Sequence, residues 1–206
     1  MTEWATETTH RIGRNVALAR NRRGMSAQEL AEVCTQLGVP MKRTSIANLE
    51  NGRRDSISVT DLIAIANALD VPPITLIYPH DQAGAKIEAV PGLPVMTFDA
   101  LTWFSGERPS LFGGGDAASD PEYSILRNLR NILAAEASAR HFLRHETDDF
   151  ELQKQMVKHA VSALRGALSY RETCNQLLAH PLPIPDDLAL VYIQAKAHEF
   201  SSPEVL

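Results

Sequence analysis

A chain of 206 residues that is 44% apolar and 22% charged can hold two small domains, each with its own core. With no run of 18 or more apolar residues, it is not expected to cross a membrane. Its net charge of −5 would exclude a polyanionic partner if it were evenly spread, but it is not. Between Thr9 and Arg54 nine Lys/Arg oppose three acids, whereas residues 81–206 carry eleven bases and seventeen acids. The basic half suits phosphate, the bland alternative being a solvated charged surface. Cys34 and Cys174 stand alone in different halves, which favours free cytosolic thiols over a disulfide or metal site. Met1-Thr2-Glu3-Trp4 lacks the basic and apolar regions of a secretory signal, so a cytoplasmic address is expected.

In chain order, residues 9–23 read as a helix with Ile12, Val16 and Ala19 as its apolar stripe, ending at Gly24. Ser26-Ala27-Gln28-Glu29 is a capping box that opens a second helix with Leu30, Ala31, Val33 and Cys34 as apolar positions. Ala31 is small enough for another helix to cross closely. Leu37-Gly38-Val39-Pro40 ends that helix, and Met41 supplies an apolar contact in the turn. Residues 42–52 then form a short helix with Ile46 and Leu49 inward and a stop at Asn51-Gly52. Its polar face carries Lys42, Arg43, Thr44, Ser45 and Asn48, which suit the base edges of a DNA major groove. After the basic loop Arg53-Arg54-Asp55-Ser56, Thr60-Asp61 starts a helix with Leu62, Ile65, Ala66 and Leu69. Ile74 to Pro79 closes a bundle of about five small helices.

Residues 80–121 are rich in glycine and proline and read as a linker, interrupted by a short docked helix at 97–105, capped by Thr97 and carrying Leu101, Trp103 and Phe104. Residues 122–200 read as a helical hairpin turning around Glu146 to Asp148. Ile125, Leu129, Ile132 and Leu133 lie on its first arm and Val157, Val161, Leu164, Leu168 and Leu178 on its second. A last helix with Leu188, Val191, Tyr192 and Ala195 lies across them. The fold class is all-α.

Taken together and in order, Arg20, Gly24, Ser26-x-x-Glu29-Leu30-Ala31, Ser45-Ile46-x-x-Leu49-Glu50-Asn51-Gly52 and Leu69-x-Val71 resemble the XRE (Cro/repressor-type) helix-turn-helix family over residues 10–79. Trp103 with Gly106-Glu107-x-Pro109 is similar to a segment that follows this motif in actinobacterial regulators. The chain departs from the pattern in the turn, where Cys34 to Met41 absorb about five residues beyond the usual family spacing. The resemblance implies a lambda-repressor-like five-helix domain at 8–79 and a double-stranded DNA operator. It places Arg43, Thr44 and Asn48 at the usual base-facing positions, with Lys42 and Ser45 beside them. It implies phosphate contacts from Ser26, the Ala27 N–H, Gln28, Arg53 and Arg54, and an internal salt bridge from Arg20 to Glu50.

Three rival readings carry less. His141 and His145 at helical spacing, with His159 or Asp148, could hold a metal, but no other ligand spacing supports it, and no metal or cofactor is expected. Ala83-Gly84 resembles the bond cut in self-cleaving phage repressors, yet the C-terminal half lacks the strands such a domain needs. A His-Glu-x-x-His protease motif is absent, and the chain is not expected to be an enzyme. The expected function is a sequence-specific transcriptional regulator, a repressor, that forms a homodimer through residues 122–200. The alternative is an antitoxin or protein-interaction module whose helical half binds a protein partner.

Overall fold

The computed structural model describes residues 2–111, 121–144 and 149–199, which divide into two compact units at residues 113/114. In the first unit, α1 (Glu3–Arg22), α2 (Ala27–Gln36), α3 (Arg43–Glu50), α4 (Val59–Ala68) and α5 (Pro73–Ile77) enclose a core that includes Val16, Leu30, Ile46, Leu49, Ile65 and Leu69. Each boundary has a local cause. Ser26 and Ser58 cap α2 and α4 by accepting the backbone N–H groups of Glu29 and Asp61, and Pro73 stands in the first turn of α5. Gly24, Gly38 and Gly52 take the left-handed conformation just past the ends of α1, α2 and α3.

Two expectations are corrected here. First, α1 starts at Glu3 rather than at residue 9, because the Thr2 hydroxyl accepts the Ala5 N–H and Trp4 donates its indole N–H to the Glu88 carbonyl at 3.0 Å. Second, part of the stretch read as linker is a β-hairpin, β1 (Lys86–Val90) antiparallel to β2 (Leu93–Met96), with a register irregularity between Glu88 and Val90. Its two-residue turn is Pro91-Gly92. Proline holds a negative φ, Gly92 takes φ 78°, and the Glu88 carboxylate accepts the Gly92 N–H. A Pro-Gly pair between Ile87/Ala89 and Leu93/Val95 is a hairpin signal rather than a linker signal.

The hairpin leads directly into α6 (Thr97–Phe104). Thr97 is not its cap. The residue is fully buried inside the helix, and its hydroxyl and N–H both donate to the Ala85 carbonyl. Ala100, Ala89 and Tyr78 form a small core of their own, with Ile74 and Ile77 of α5 packed against it.

The second unit comprises α7 (Pro121–Leu143), α8 (Phe150–Leu177) and α9 (Ala189–Glu199). Asp149 caps α8 by accepting from the Glu151 and Leu152 N–H groups. Helices α7 and α8 pack as an antiparallel hairpin, and α9 is pressed against them through Leu188, Val191, Tyr192 and Ala195. A polar cluster sits within this apolar packing. Glu136 of α7 accepts from Arg171 of α8 at 2.5 Å and from the Tyr192 hydroxyl of α9 at 2.9 Å, while Arg171 also donates to that hydroxyl and to the Leu182 and Pro183 carbonyls. Leu178, expected on the second arm, ends α8 as its cap.

Candidate nucleic-acid interface

The geometry of α3 begins with what anchors it. Ile46 and Leu49 are buried, and each full burial contributes about 1.5–3 kcal/mol. Gly13 lets α1 approach the end of α3, because a Cβ built there would lie 2.1 Å from the Leu49 carbonyl oxygen. Arg20 then fastens that end. Its Nε donates to Glu50 Oε1 at 2.7 Å, its Nη2 to Oε2 at 2.9 Å, and its Nη1 to the Met25 carbonyl at 2.6 Å. One guanidinium thus ties α1, the last residue of α3 and the turn into α2. The bond to Glu50, partly opposed by burial, holds Arg20 above the ordinary arginine pKa.

With its inner face committed, α3 presents an outer face that is polar and unengaged. Lys42, Arg43, Thr44 and Asn48 are exposed and Ser45 is half-buried. None of these five side chains bonds to another described residue. Lys42 caps the helix through its backbone alone, which leaves the Arg43 and Thr44 N–H groups without a described acceptor. A short positive helix start with free donors is a place where an anion is stabilised.

The neighbouring positions divide. Ser26 and Glu29 satisfy each other through a complete capping box, Glu29 N–H to Ser26 Oγ at 3.2 Å and Ser26 N–H to Glu29 Oε2 at 2.7 Å. Those bonds from Ser26 hold the Glu29 carboxyl below its usual range. The Ala27 and Gln28 N–H groups have no acceptor among the described residues, while the Gln28 side chain donates to Glu32. In the loop after α3, Arg53 donates its backbone N–H to the Asn48 carbonyl at 2.8 Å and leaves its side chain in solvent. Arg54 differs. Its guanidinium pairs with Asp61 in the first turn of α4 at 3.2 Å, both side chains being about a quarter exposed.

The longer turn between α2 and α3 has a clasp that the sequence reading missed. After Gln36 the chain passes Leu37 and the left-handed Gly38, and the Gly38 and Val39 N–H groups close back on the Thr35 and Cys34 carbonyls. The Thr35 hydroxyl donates to Ala31 O and meets both the N–H and the carbonyl of Met41. Val39 and Met41 pack on the core. The extra residues therefore form a closed turn. Gly13 was missed too, since a glycine inside a helix gives no signal until its neighbour across the packing is known.

The metal reading has little to build on. Among the described residues no three His, Cys, Asp or Glu side chains cluster, and His145 and Asp148 lie outside the described residues. His159 instead stacks on Phe142 at 5.3 Å. Among the described residues no helix is long and apolar enough to cross a membrane.

In comparisons with known proteins, a helix-turn-helix family model matches residues 16–76, from the middle of α1 to the end of α5. No curated protein and no solved structure matches the chain.

Proposed function

We propose, starting from a chain whose residues 16–76 are an XRE-type helix-turn-helix DNA-binding domain, that the protein is a cytoplasmic transcriptional repressor which inserts α3 into the major groove of a specific operator. The observation that carries this reading is the division of α3 into an anchored inner face and an outer face whose polar side chains have no partners among the described residues. Arg43 donates to a guanine edge and Asn48 pairs with adenine, each good bidentate contact being worth about 1–3 kcal/mol of discrimination. Thr44, Lys42 and Ser45 contact flanking bases or sugars. The Ala27 and Gln28 N–H groups and Arg53 hold phosphates, and Arg54 contributes less because Asp61 already engages it.

Duplex titrations at several salt concentrations test this. Arg43→Ala relaxes sequence choice, whereas Arg53→Ala weakens all duplexes alike and lowers the salt slope by about one. Equal losses on all sequences for both variants would contradict the assignment.

The second unit serves pairing. Leu133 of α7 and Leu190 and Ile193 of α9 are each more than 60% exposed, and covering them with a partner would remove large apolar side chains from water. Two protomers joined through them would address two half-sites on the DNA. Light scattering at micromolar concentration gives a dimer in this account, and Leu133→Glu gives a monomer. A wild-type monomer that binds DNA as a monomer would contradict it, and a dimer only in complex with another protein would favour the antitoxin reading.

A further inference from the structure

The first unit contains a feature that DNA contact does not use. A cavity of about 720 Å³ lies between the helix-turn-helix core and the hairpin with α6. Trp4 and Ile12 reach it from α1, Ile57 from the loop before α4, Leu62 from α4, Ile77 from α5 and Trp103 from α6. Its size falls within the roughly 300–1,000 Å³ of small-molecule sites, and apolar walls with few polar groups are what such sites show.

Two observations narrow the occupant. The first is charge: among the described residues no Lys, Arg or His lines the cavity, and Asp55 is the one charged residue in its wall. An anionic ligand has no counter-charge there. The second is Tyr78. It is 4% exposed, its ring is held edge-on by Phe104 at 5.6 Å and lies under the Arg11 guanidinium at 5.8 Å, and its hydroxyl bonds to no described residue. The hydroxyl is not sealed from solvent, so it remains open to pair with whatever occupies the cavity. Burial also raises the Tyr78 pKa, so the phenol stays a neutral donor. Concavity, with the Tyr78 hydroxyl available in the wall, fits a small molecule better than the broad apolar face that two copies would share.

We propose that this cavity binds a neutral, largely apolar small molecule carrying one hydrogen-bonding group for the Tyr78 hydroxyl, and that its occupancy is coupled to DNA binding. Asp55 to Ser58 form part of its wall and follow Arg53 and Arg54 in the same loop. The Thr9 hydroxyl, also in the wall, holds that loop by donating to the Asp55 carbonyl at 3.1 Å. A ligand that shifts this loop changes the position of Arg53, so the coupling, though not the site, rests on the DNA reading above.

The probe is N-phenyl-1-naphthylamine, a neutral apolar amine with one N–H, titrated by fluorescence into the full chain without DNA. Saturable one-to-one binding is expected. Ala5→Trp, which fills the cavity from α1, weakens it about tenfold or more, and Tyr78→Phe, which keeps the ring, weakens it several-fold. Circular dichroism melts establish that both variants fold, and Tyr78→Phe keeps the test alive if Ala5→Trp does not. Absence of saturation, equal binding by both variants, or binding that disappears with a change of oligomeric state would overturn the site. With a selected duplex, saturating probe shifts affinity by about fivefold or more, and an unchanged affinity would overturn the coupling alone. Failure to bind any duplex would count against the DNA reading and leave the probe measurement standing.

Discussion

Each unit fastens its helices with an arginine–glutamate pair, and the two pairs are set in different surroundings. Arg20 and Glu50 keep 15% and 10% of their side chains exposed and tie the end of α3 to α1. Arg171 and Glu136 retain 8% and 4%, and add the Tyr192 hydroxyl and two backbone carbonyls, so that one polar cluster joins α7, α8 and α9. At the rim of that cluster Arg140 pairs with Asp187 at 2.6 Å. In the first unit the pair secures a helix and leaves its outer face polar, suited to a polyanion. In the second it consumes the polar groups of the interior while Leu126 and Leu133 of α7 and Leu190 and Ile193 of α9 stay exposed among polar neighbours. The same ionic fastening thus serves presentation in one unit and packing in the other.

This contrast can be broken from either side. The largest effect is expected at Glu136→Ala, which strands the buried Arg171 guanidinium and destabilises the second unit by about 3–5 kcal/mol. Urea unfolding followed by hydrogen exchange should show loss of protection in α7 to α9 with α1 to α5 unchanged. Gly13→Ala in the first unit costs about 3 kcal/mol, because the new methyl meets backbone rather than a movable side chain. Glu50→Ala costs about 2 kcal/mol, less than Glu136→Ala because water reaches Arg20. Both weaken DNA binding by displacing α3, and an equal cost for Glu50→Ala and Glu136→Ala would erase the distinction between the two pairs.

A further effect is alkaline. Burial, with the bond to Glu136, pushes the Tyr192 phenol up to about 12 from its ordinary value of 10.0. The folded state therefore keeps a proton that the unfolded chain releases. That contribution is complete below pH 10 and is lost as pH rises toward 12. Unfolding of the second unit measured on both sides of pH 10 should show this decline, and Tyr192→Phe should reduce it, leaving the part due to the Cys174 thiol, which burial also pushes up.

Much of the first unit was legible because its signals are local. A capping box, a left-handed glycine and apolar positions at helical spacing each act within a few residues, and they located α2, α3 and α4. The hairpin escaped because proline and glycine were weighed as chain breakers, whereas Pro91-Gly92 with flanking alternation specifies a turn. Residues 3–8 escaped because what orders them is Trp4 meeting Glu88, a contact 84 positions apart. Glu136 and Arg171 were invisible for the same reason. On their own helices they read as surface charges, and only the meeting of three helices buries them. At the candidate interface, residue types on α3 were readable from spacing, but the separation of Arg53 from Arg54 depended on Asp61, and the clasp on the long turn depended on the Thr35 hydroxyl.

The central claim is that α3 reads DNA sequence through Arg43, Thr44 and Asn48. Selection of bound duplexes from a random pool, run in parallel on the wild-type chain and on Arg43→Ala, tests it most directly. The account predicts one enriched site with two related half-sites for the wild type, and loss of preference at a single base-pair position per half-site for the variant. No enriched sequence, or the same preference from both proteins, would contradict it.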